Sequence, residues 1–123
     1  MTSRSFIQYN EEINNVPRTK QIYIPQHADD SLMSLALKEH NTGHTDFLFA
    51  GNIGYAQNLD VVIKAAELID NRYDYTIHFV GDGSKLDDLK KAVIDKKLDN
   101  RIVFHGRVPR SEMSSFYDMA DVL

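Results

Sequence analysis

The chain contains no cysteine and no tryptophan, and only 3 of its 123 residues are proline. Without cysteine it can form no disulfide, and it has neither a thiol nucleophile nor a cysteine-based zinc site. No apolar run approaches the roughly 20 residues that a membrane-spanning helix needs, and the N-terminus carries no apolar signal segment. These absences predict a cytoplasmic domain, which a longer parent protein could hold at the inner face of the cytoplasmic membrane.

The chain also has fewer positively charged than negatively charged residues. The chain has 14 lysine and arginine residues against 18 aspartate and glutamate residues, for a formal net charge of -4. Nucleic-acid-binding surfaces usually carry a basic face that neutralises backbone phosphates, so we predict no nucleic-acid partner. The hydrophobic content of 42% with 26% charged residues is usual for a globular domain, and the length suits one modest domain.

From residue 46 onward, short apolar runs alternate with amphipathic segments. The runs predict strands and the segments predict helices. Strict alternation of strand and helix requires crossover connections, so the strands are expected to be parallel with helices packed over them. The predicted fold class is α/β, a Rossmann-like parallel sheet with alternating helices. The predicted strands are residues 47–50, 76–80 and 102–105, and residues 121–123 begin a fourth.

The helical segments between these runs have clear apolar faces, and Ser84 with Asp87 three residues later predicts a variant capping box at the start of the second one. The residues expected to face the sheet are Leu59, Val62, Ile63, Ala66 and Ile69 in the first helix, Leu86, Leu89, Ala92 and Val93 in the second, and Met113, Phe116, Tyr117 and Ala120 in the third.

The first 45 residues are less regular. Residues 3–14 predict a helix, residues 22–24 form a short apolar run ended by Pro25, and residues 26–45 suggest a connector with a weak helical stretch at 32–37. At the other end, a sheet whose fourth strand is only begun would leave an open edge, which stable proteins usually avoid. We therefore expect the chain to be a truncated part of a longer protein.

Glycine is concentrated where the predicted strands end, in the segments 51–54, 81–83 and 106–108. Ligands of open parallel sheets bind beyond the carboxyl ends of the strands. Glycine lets backbone amides approach an anion, and the helix N-terminus behind the first segment favours negative charge. The alternative is that these glycines only close tight turns. The dinucleotide fingerprint, the phosphate-loop lysine and the nucleophile elbow are absent from the sequence.

An ordered set of landmarks carries a family resemblance. Residues 47–123 resemble the opening half of the C-terminal domain of family 4 glycosyltransferases, the retaining enzymes of GT-B architecture. The segment Gly51-Asn-Ile-Gly-Tyr-Ala-Gln-Asn-Leu59 is most similar to a bacterial subgroup that builds capsule, O-antigen or colanic-acid-like polysaccharides, including fucosamine-type transferases. The landmarks are Phe49-Ala-Gly51, Leu59 through Ala66, Val80-Gly-Asp-Gly83, Val103-Phe-His-Gly106, Phe116-Tyr117 and Ala120-Asp-Val122.

The resemblance implies a division of the chain and a function. Residues 1–45 would be the last helix of an N-terminal domain plus the interdomain linker, and residues 46–123 the first part of the nucleotide-sugar-binding domain. The parent would transfer a sugar from a UDP- or GDP-type nucleotide sugar to a saccharide or lipid-linked acceptor in surface polysaccharide synthesis. Its N-terminal domain would provide any peripheral membrane contact. A GT-B nucleotide-sugar epimerase and a non-catalytic nucleotide-binding module are the alternatives.

The same resemblance implies the site residues. The glycines of the first segment would approach the donor diphosphate, residues 81–83 would shape the pocket floor, and the backbone at 107 and 108 would meet the nucleobase. The family's paired catalytic glutamates would lie beyond Leu123, so no catalytic residue is expected in this chain, which alone should be inactive. No cofactor and no metal is implied. The predicted donor-binding residues are Gly51, Asn52, Ile53, Gly54, Gln57, Gly81, Asp82, Gly83, Arg107 and Val108.

The chain departs from the family pattern at two of these positions. Many members carry arginine and lysine where this chain has Asn52 and Gln57, which are neutral hydrogen-bond donors. Ionic contacts stabilise a diphosphate more than neutral hydrogen bonds do. Asp82 could contact a ligand or only stabilise its own turn. The Arg107 side chain could stack on a base or pair with a phosphate.

The five histidines invite a metal hypothesis, but their pattern favours packing or surface roles. Only His40 and His44 are spaced four apart, in a segment predicted to be a loop, and His78 and His105 fall in predicted strands. Histidine metal sites usually combine such spacing with a helix and further ligands.

Overall fold

The computed structural model describes residues 3–25 and 43–123, which belong to two separate compact units. In the first unit, helix α1 spans Ser5–Glu12, and a 3₁₀ turn follows at Arg18–Lys20. The side-chain amide of Gln21, which follows this turn, donates to the carbonyl of Val16, which precedes it, at 2.8 Å. The helix predicted at 3–14 is confirmed in a shorter form, and none of its residues is buried.

The second unit confirms the predicted α/β class. Its elements are β1 (His44–Ala50), α2 (Asp60–Leu68), β2 (Asp74–Val80), α3 (Leu86–Asp95), β3 (Ile102–Gly106) and α4 (Met113–Met119). The strands pair in the order β1-β2-β3, and both pairings are parallel. The sheet therefore has all three carboxyl ends at one edge.

The last residues of the chain return to the other side of β1. Val122 forms an isolated parallel bridge with Phe47, and its carbonyl accepts from the Leu48 amide at 2.8 Å. The predicted fourth strand is thus present as a single bridge, next to β1 and opposite β2. Because successive strands run away from β1 in one direction and residue 122 lies in the other, the strand order reverses at β1. Such a reversal opens a crevice beyond the carboxyl end of the central strand.

One face of the sheet carries the apolar core. Phe79 is completely buried, and its ring centroid lies 6.0 Å from that of Phe49 and 5.2 Å from that of Phe104. Helices α2 and α3 cover this cluster with side chains from the predicted apolar faces. The buried members from that side are Leu59, Ile63, Ala66, Leu89 and Val93, with Val62, Ile69, Leu86 and Ala92 packed around them.

The start of α3 differs from the prediction. Lys85 precedes the helix, and no side chain caps its first turn, so the capping box predicted at Ser84 is wrong. The Lys85 amide donates to the Ile53 carbonyl at 3.0 Å, and the Leu86 amide donates to the Gly83 carbonyl at 3.1 Å. The amides at the start of α3 are thus hydrogen-bonded to backbone carbonyls, one distant in sequence and one in the preceding turn, and not to a capping side chain.

The connector predicted at residues 26–45 extends too far. β1 begins at His44, because residues 44–46 pair in register with Asp74 and the two residues after it. Main-chain pairing extends the strand through polar residues that the apolar pattern excluded. The weak helical stretch predicted at 32–37 lies outside the described residues.

Candidate functional site

The three glycine segments meet at the carboxyl edge of the sheet, where main-chain hydrogen bonds join them. The Gly51 amide donates to the Val80 carbonyl at 2.9 Å, and the Gly81 amide donates to the Gly106 carbonyl at 2.8 Å. The Ile53 amide donates to the Asp82 carbonyl at 2.8 Å. These bonds join the loop after β1 to the end of β2 and to the loop after it, and the loop after β2 to the end of β3, so the loops form one fixed edge.

Gly81 is a point of close backbone contact between two of these loops. Its φ is +141°, and a Cβ added to it would lie 1.8 Å from the Gly51 carbonyl oxygen. A Cβ at Gly83 would lie 2.3 Å from the Ile53 carbonyl oxygen. The backbones of the first and second loops are therefore in direct contact, and no ligand atom fits between them.

A cleft with a volume of about 430 Å³ opens beside this contact. Strand ends and loops form one wall, and α4 contributes the other through Met113 and Tyr117. Its position beyond the end of β1 coincides with the reversal of strand order. The remaining lining residues are Ala50, Gly51, Asn52, Val80, Gly81, Asp82, Arg107 and Val108.

The cleft brings together six of the ten residues predicted to bind the donor: Gly51, Asn52, Gly81, Asp82, Arg107 and Val108. The other four, Ile53, Gly54, Gln57 and Gly83, do not line it. Ile53 has no exposed surface and belongs to the apolar core. Gln57 ends a short 3₁₀ turn at Tyr55–Gln57, on the exposed side of the first loop. Met113 and Tyr117 also line the cleft but were not predicted to do so, because apolar positions on a helix face predict packing.

Two charged side chains line the cleft, and they differ in their surroundings. An Asp82 carboxylate oxygen accepts from the Gly83 amide at 2.7 Å, which is the turn-stabilising role considered above. The Arg107 side chain is exposed and forms no ion pair with any residue in the described ranges. The amides of Asn52 and Gly54 likewise find no acceptor within that part of the chain.

The sequence of residues 36–123 matches the profile of the family described as glycosyl transferases group 1. The chain belongs to the group 1 glycosyl transferases. This family has GT-B architecture, and the three-stranded parallel sheet is consistent with part of one Rossmann-like half of it.

Two curated glycosyl transferases are similar to the chain over much of its length. A 2-deoxystreptamine glucosyltransferase from Streptomyces kanamyceticus is 36% identical over 76 residues, which are 61% of this chain and 20% of the relative. An alpha-monoglucosyldiacylglycerol synthase from Streptococcus pneumoniae is 28% identical over 80 residues, 64% of this chain and 18% of the relative. The chain thus spans about one fifth of the length of these relatives.

A solved structure shares the fold. The crystal structure of a Staphylococcus aureus TarM mutant, in complex with Fondaparinux, alpha-GlcNAc-glycerol and UDP, superposes with a TM-score of 0.67 at 16% identity. The match covers 87% of this chain and 21% of TarM.

On the sheet face opposite the apolar core, this glycosyl transferase chain carries a polar network that the sequence did not predict. His78 contacts an Asp46 carboxylate oxygen through Nε2 at 3.0 Å and His105 Nε2 through Nδ1 at 2.9 Å. His44 Nε2 lies 3.3 Å from the same Asp46 oxygen. The His105 ring meets the edge of Phe116 on α4 at a centroid distance of 4.8 Å. The network therefore joins all three strands to the helix that forms one wall of the cleft.

Proton positions in this network follow from its acceptors. Because the Asp46 carboxylate accepts, His78 donates from Nε2, and in the neutral pair its Nδ1 accepts the proton of His105 Nε2. Burial and then the neighbouring His78 lower the pKa of His105 below its ordinary value of 6.5. The hydrogen bond that His44 Nδ1 donates to the Asp74 carboxylate is the largest cause of the raised pKa of His44, which lies on the partly exposed rim.

These opposite shifts predict the pH dependence of stability. As the pH falls below 6.5, the unfolded chain takes up a proton at His105 more readily than the folded chain does, so His105 destabilises the fold progressively through its lowered pKa. His44 contributes the reverse: its stabilisation is complete below 6.5 and is lost as the pH rises through its raised pKa. Urea unfolding of the chain and of His105→Gln between pH 7 and 5 checks this prediction, with a smaller acid loss expected for the variant. The prediction would be contradicted if the unfolding free energy changed equally with pH in both proteins.

Within residues 3–25 and 43–123, no group of three histidine, aspartate or glutamate side chains could hold a metal ion. His27 and His40 lie outside the described residues. No helix of the described part is long and apolar enough to cross a membrane.

Proposed function

We propose that the full-length parent of this chain transfers a sugar from a nucleotide sugar and that the cleft beside Gly51 holds the nucleotide. The observation that carries this proposal is the coincidence of a cleft, three glycine loops and the reversal of strand order in a group 1 glycosyl transferase. Open parallel sheets bind ligands in such a crevice.

The geometry supports a phosphate-bearing ligand in particular. The first loop offers the amide of Asn52, to which no described residue is hydrogen-bonded, and Arg107 adds a positive charge from the third loop. Backbone amides and arginine are the usual protein partners of phosphate oxygens. The TarM structure that shares this fold contains UDP, which favours a uridine nucleotide over a guanosine nucleotide as the first ligand to test.

The finer assignment extends the sequence resemblance. The parent retains configuration at the transferred sugar and acts in bacterial surface polysaccharide synthesis, on a saccharide or lipid-linked acceptor. The relatives support a variable acceptor, since one is named for 2-deoxystreptamine and another for a glucosyldiacylglycerol product. The remainder of the protein supplies the acceptor-binding domain, the catalytic glutamates and any peripheral contact with the inner face of the membrane. No metal or other cofactor takes part.

Nucleotide binding by the 123-residue chain tests the site directly. Ala50 lines the cleft, so Ala50→Phe should weaken UDP or GDP binding by at least about tenfold, or ~1.4 kcal/mol. Ala65→Phe is the matched control, because Ala65 is exposed on α2 and does not line the cleft. Titrations followed by NMR measure the affinities. Binding of neither nucleotide, or equal binding by the two variants, contradicts the proposed site.

Activity of the full-length parent tests the reaction class. Incubation with a nucleotide sugar and extracted bacterial glycolipid is expected to transfer labelled sugar to the lipid and release the nucleoside diphosphate. Conversion of the sugar while it stays attached to the nucleotide would instead identify an epimerase. Binding without either change would identify a non-catalytic nucleotide-binding protein.

A further inference from the structure

The cleft has an unusual balance of charge for a site that would hold a diphosphate. Its lining residues include one cationic side chain, Arg107, and one carboxylate, Asp82. Asp82 is turned toward the Gly83 amide. Where a site accepts a group with at least two negative charges, a single unpaired cation carries most of the available electrostatic attraction.

The backbone can compensate only in part. The amides of Gly51, Ile53 and Gly81 are already hydrogen-bonded to carbonyls of neighbouring loops and strands. In the first loop, no described residue provides an acceptor for the amides of Asn52 and Gly54, and of these two residues only Asn52 lines the cleft. Neutral donors of this kind form weaker hydrogen bonds with phosphate than a guanidinium does.

The position of the contact between the first two loops directs the ligand toward Arg107. Gly81 and Gly51 are so close that even a methyl group is excluded between their backbones. A phosphate that contacts the Asn52 amide then lies in the cleft, which Arg107 and Val108 also line from the third loop. The guanidinium is exposed and forms no ion pair within the described residues, so it is available at this position without breaking an existing contact.

We propose that the Arg107 guanidinium pairs with the diphosphate of the donor and supplies the charge that the neutral Asn52 and Gln57 cannot. This inference rests on the proposed nucleotide site and specifies how that site recognises its ligand. In the competing arrangement the guanidinium stacks on the base. The contribution of Arg107 to the binding free energy would then be the same for a nucleoside and for its diphosphate.

Comparison of two ligands separates these arrangements. Wild-type chain, Arg107→Gln and Arg107→Lys are titrated with UDP and with uridine by NMR, or with GDP and guanosine if the guanine nucleotide is the one bound. Arg107→Gln should weaken diphosphate binding about 10- to 100-fold, the usual value of a hydrogen bond to a charged group, and change nucleoside binding less than about twofold. Arg107→Lys keeps the positive charge but loses the planar guanidinium, so its affinity for the diphosphate should lie between those of wild type and Arg107→Gln.

Arg72→Gln is the matched control, because it removes the same charge from an exposed arginine that does not line the cleft. Its diphosphate affinity should stay within about twofold of wild type, which excludes a general effect of net charge. Equal losses of nucleoside and diphosphate binding in Arg107→Gln would overturn the proposal in favour of base stacking, and unchanged binding of both would overturn it outright. Failure of the proposed function is distinct, since the wild-type chain would then bind neither ligand.

Discussion

Alanine in place of Gly81 is expected to destabilise the sheet unit by about 3–5 kcal/mol, combining a strained backbone angle with overpacking against another backbone. The added Cβ would lie 1.8 Å from the Gly51 carbonyl oxygen, and neither partner is a flexible side chain that could move aside. Relief of the clash must separate the first two loops and break the bond from the Ile53 amide to the Asp82 carbonyl. Urea unfolding followed by circular dichroism measures the loss.

Gly106→Ala provides the control for this experiment. Gly106 also has a positive φ, +70°, but a Cβ there would meet no atom within 4 Å. Its substitution should cost only the conformational penalty of a left-handed residue, about 1–2 kcal/mol. The difference between the two variants isolates the contact between loops, and equal destabilisation would show that this contact is not tight. Nucleotide affinity should be lost in Gly81→Ala alone, since only that change moves a wall of the cleft.

Much of the fold could be predicted from the sequence because its core is built from regular apolar patterns. Leu59, Ile63 and Ala66 share one helix face at the expected spacing, and all three are buried against the sheet. The pattern could not find the strand beginning at His44, where main-chain pairing continues through polar residues. Ser84 failed as a cap because an amide-to-carbonyl bond from Lys85 to Ile53, which is distant in sequence, decides the start of α3.

The candidate site was less predictable, since it depends on how separate elements meet. The glycines indicated the edge of the sheet at which the cleft lies, but which loop residues face the cleft depends on the contact at Gly81. Met113 and Tyr117 have the apolar spacing of core residues and line the cleft only because α4 packs on the other sheet face. The contact of His78 with His105 likewise joins two strands whose register is irregular, and periodicity does not encode that register.

Phe79→Ala is expected to remove about 3–5 kcal/mol of stability, the usual cost of deleting a fully buried aromatic ring. Phe79 has no exposed surface, and its ring lies between those of Phe49 and Phe104, so the cavity would open at the centre of the sheet. Small domains have net stabilities of about 5–15 kcal/mol, so this change should leave the variant marginally folded. The urea midpoint, compared with that of wild type at 25 °C, measures it.

Tyr73→Ala is the control, because Tyr73 is 56% exposed and its truncation should change stability by about 0.5 kcal/mol or less. A small effect of Phe79→Ala would contradict the core described above. The variant also tests how the core supports the site. The residue after Phe79 is Val80, whose carbonyl accepts from the Gly51 amide and so fixes the first glycine loop. If the cavity relaxes by a shift of β2, nucleotide affinity should fall even under conditions where Phe79→Ala remains folded. Unchanged affinity would mean that the hydrogen bonds between the loops maintain the cleft without the Phe79 ring.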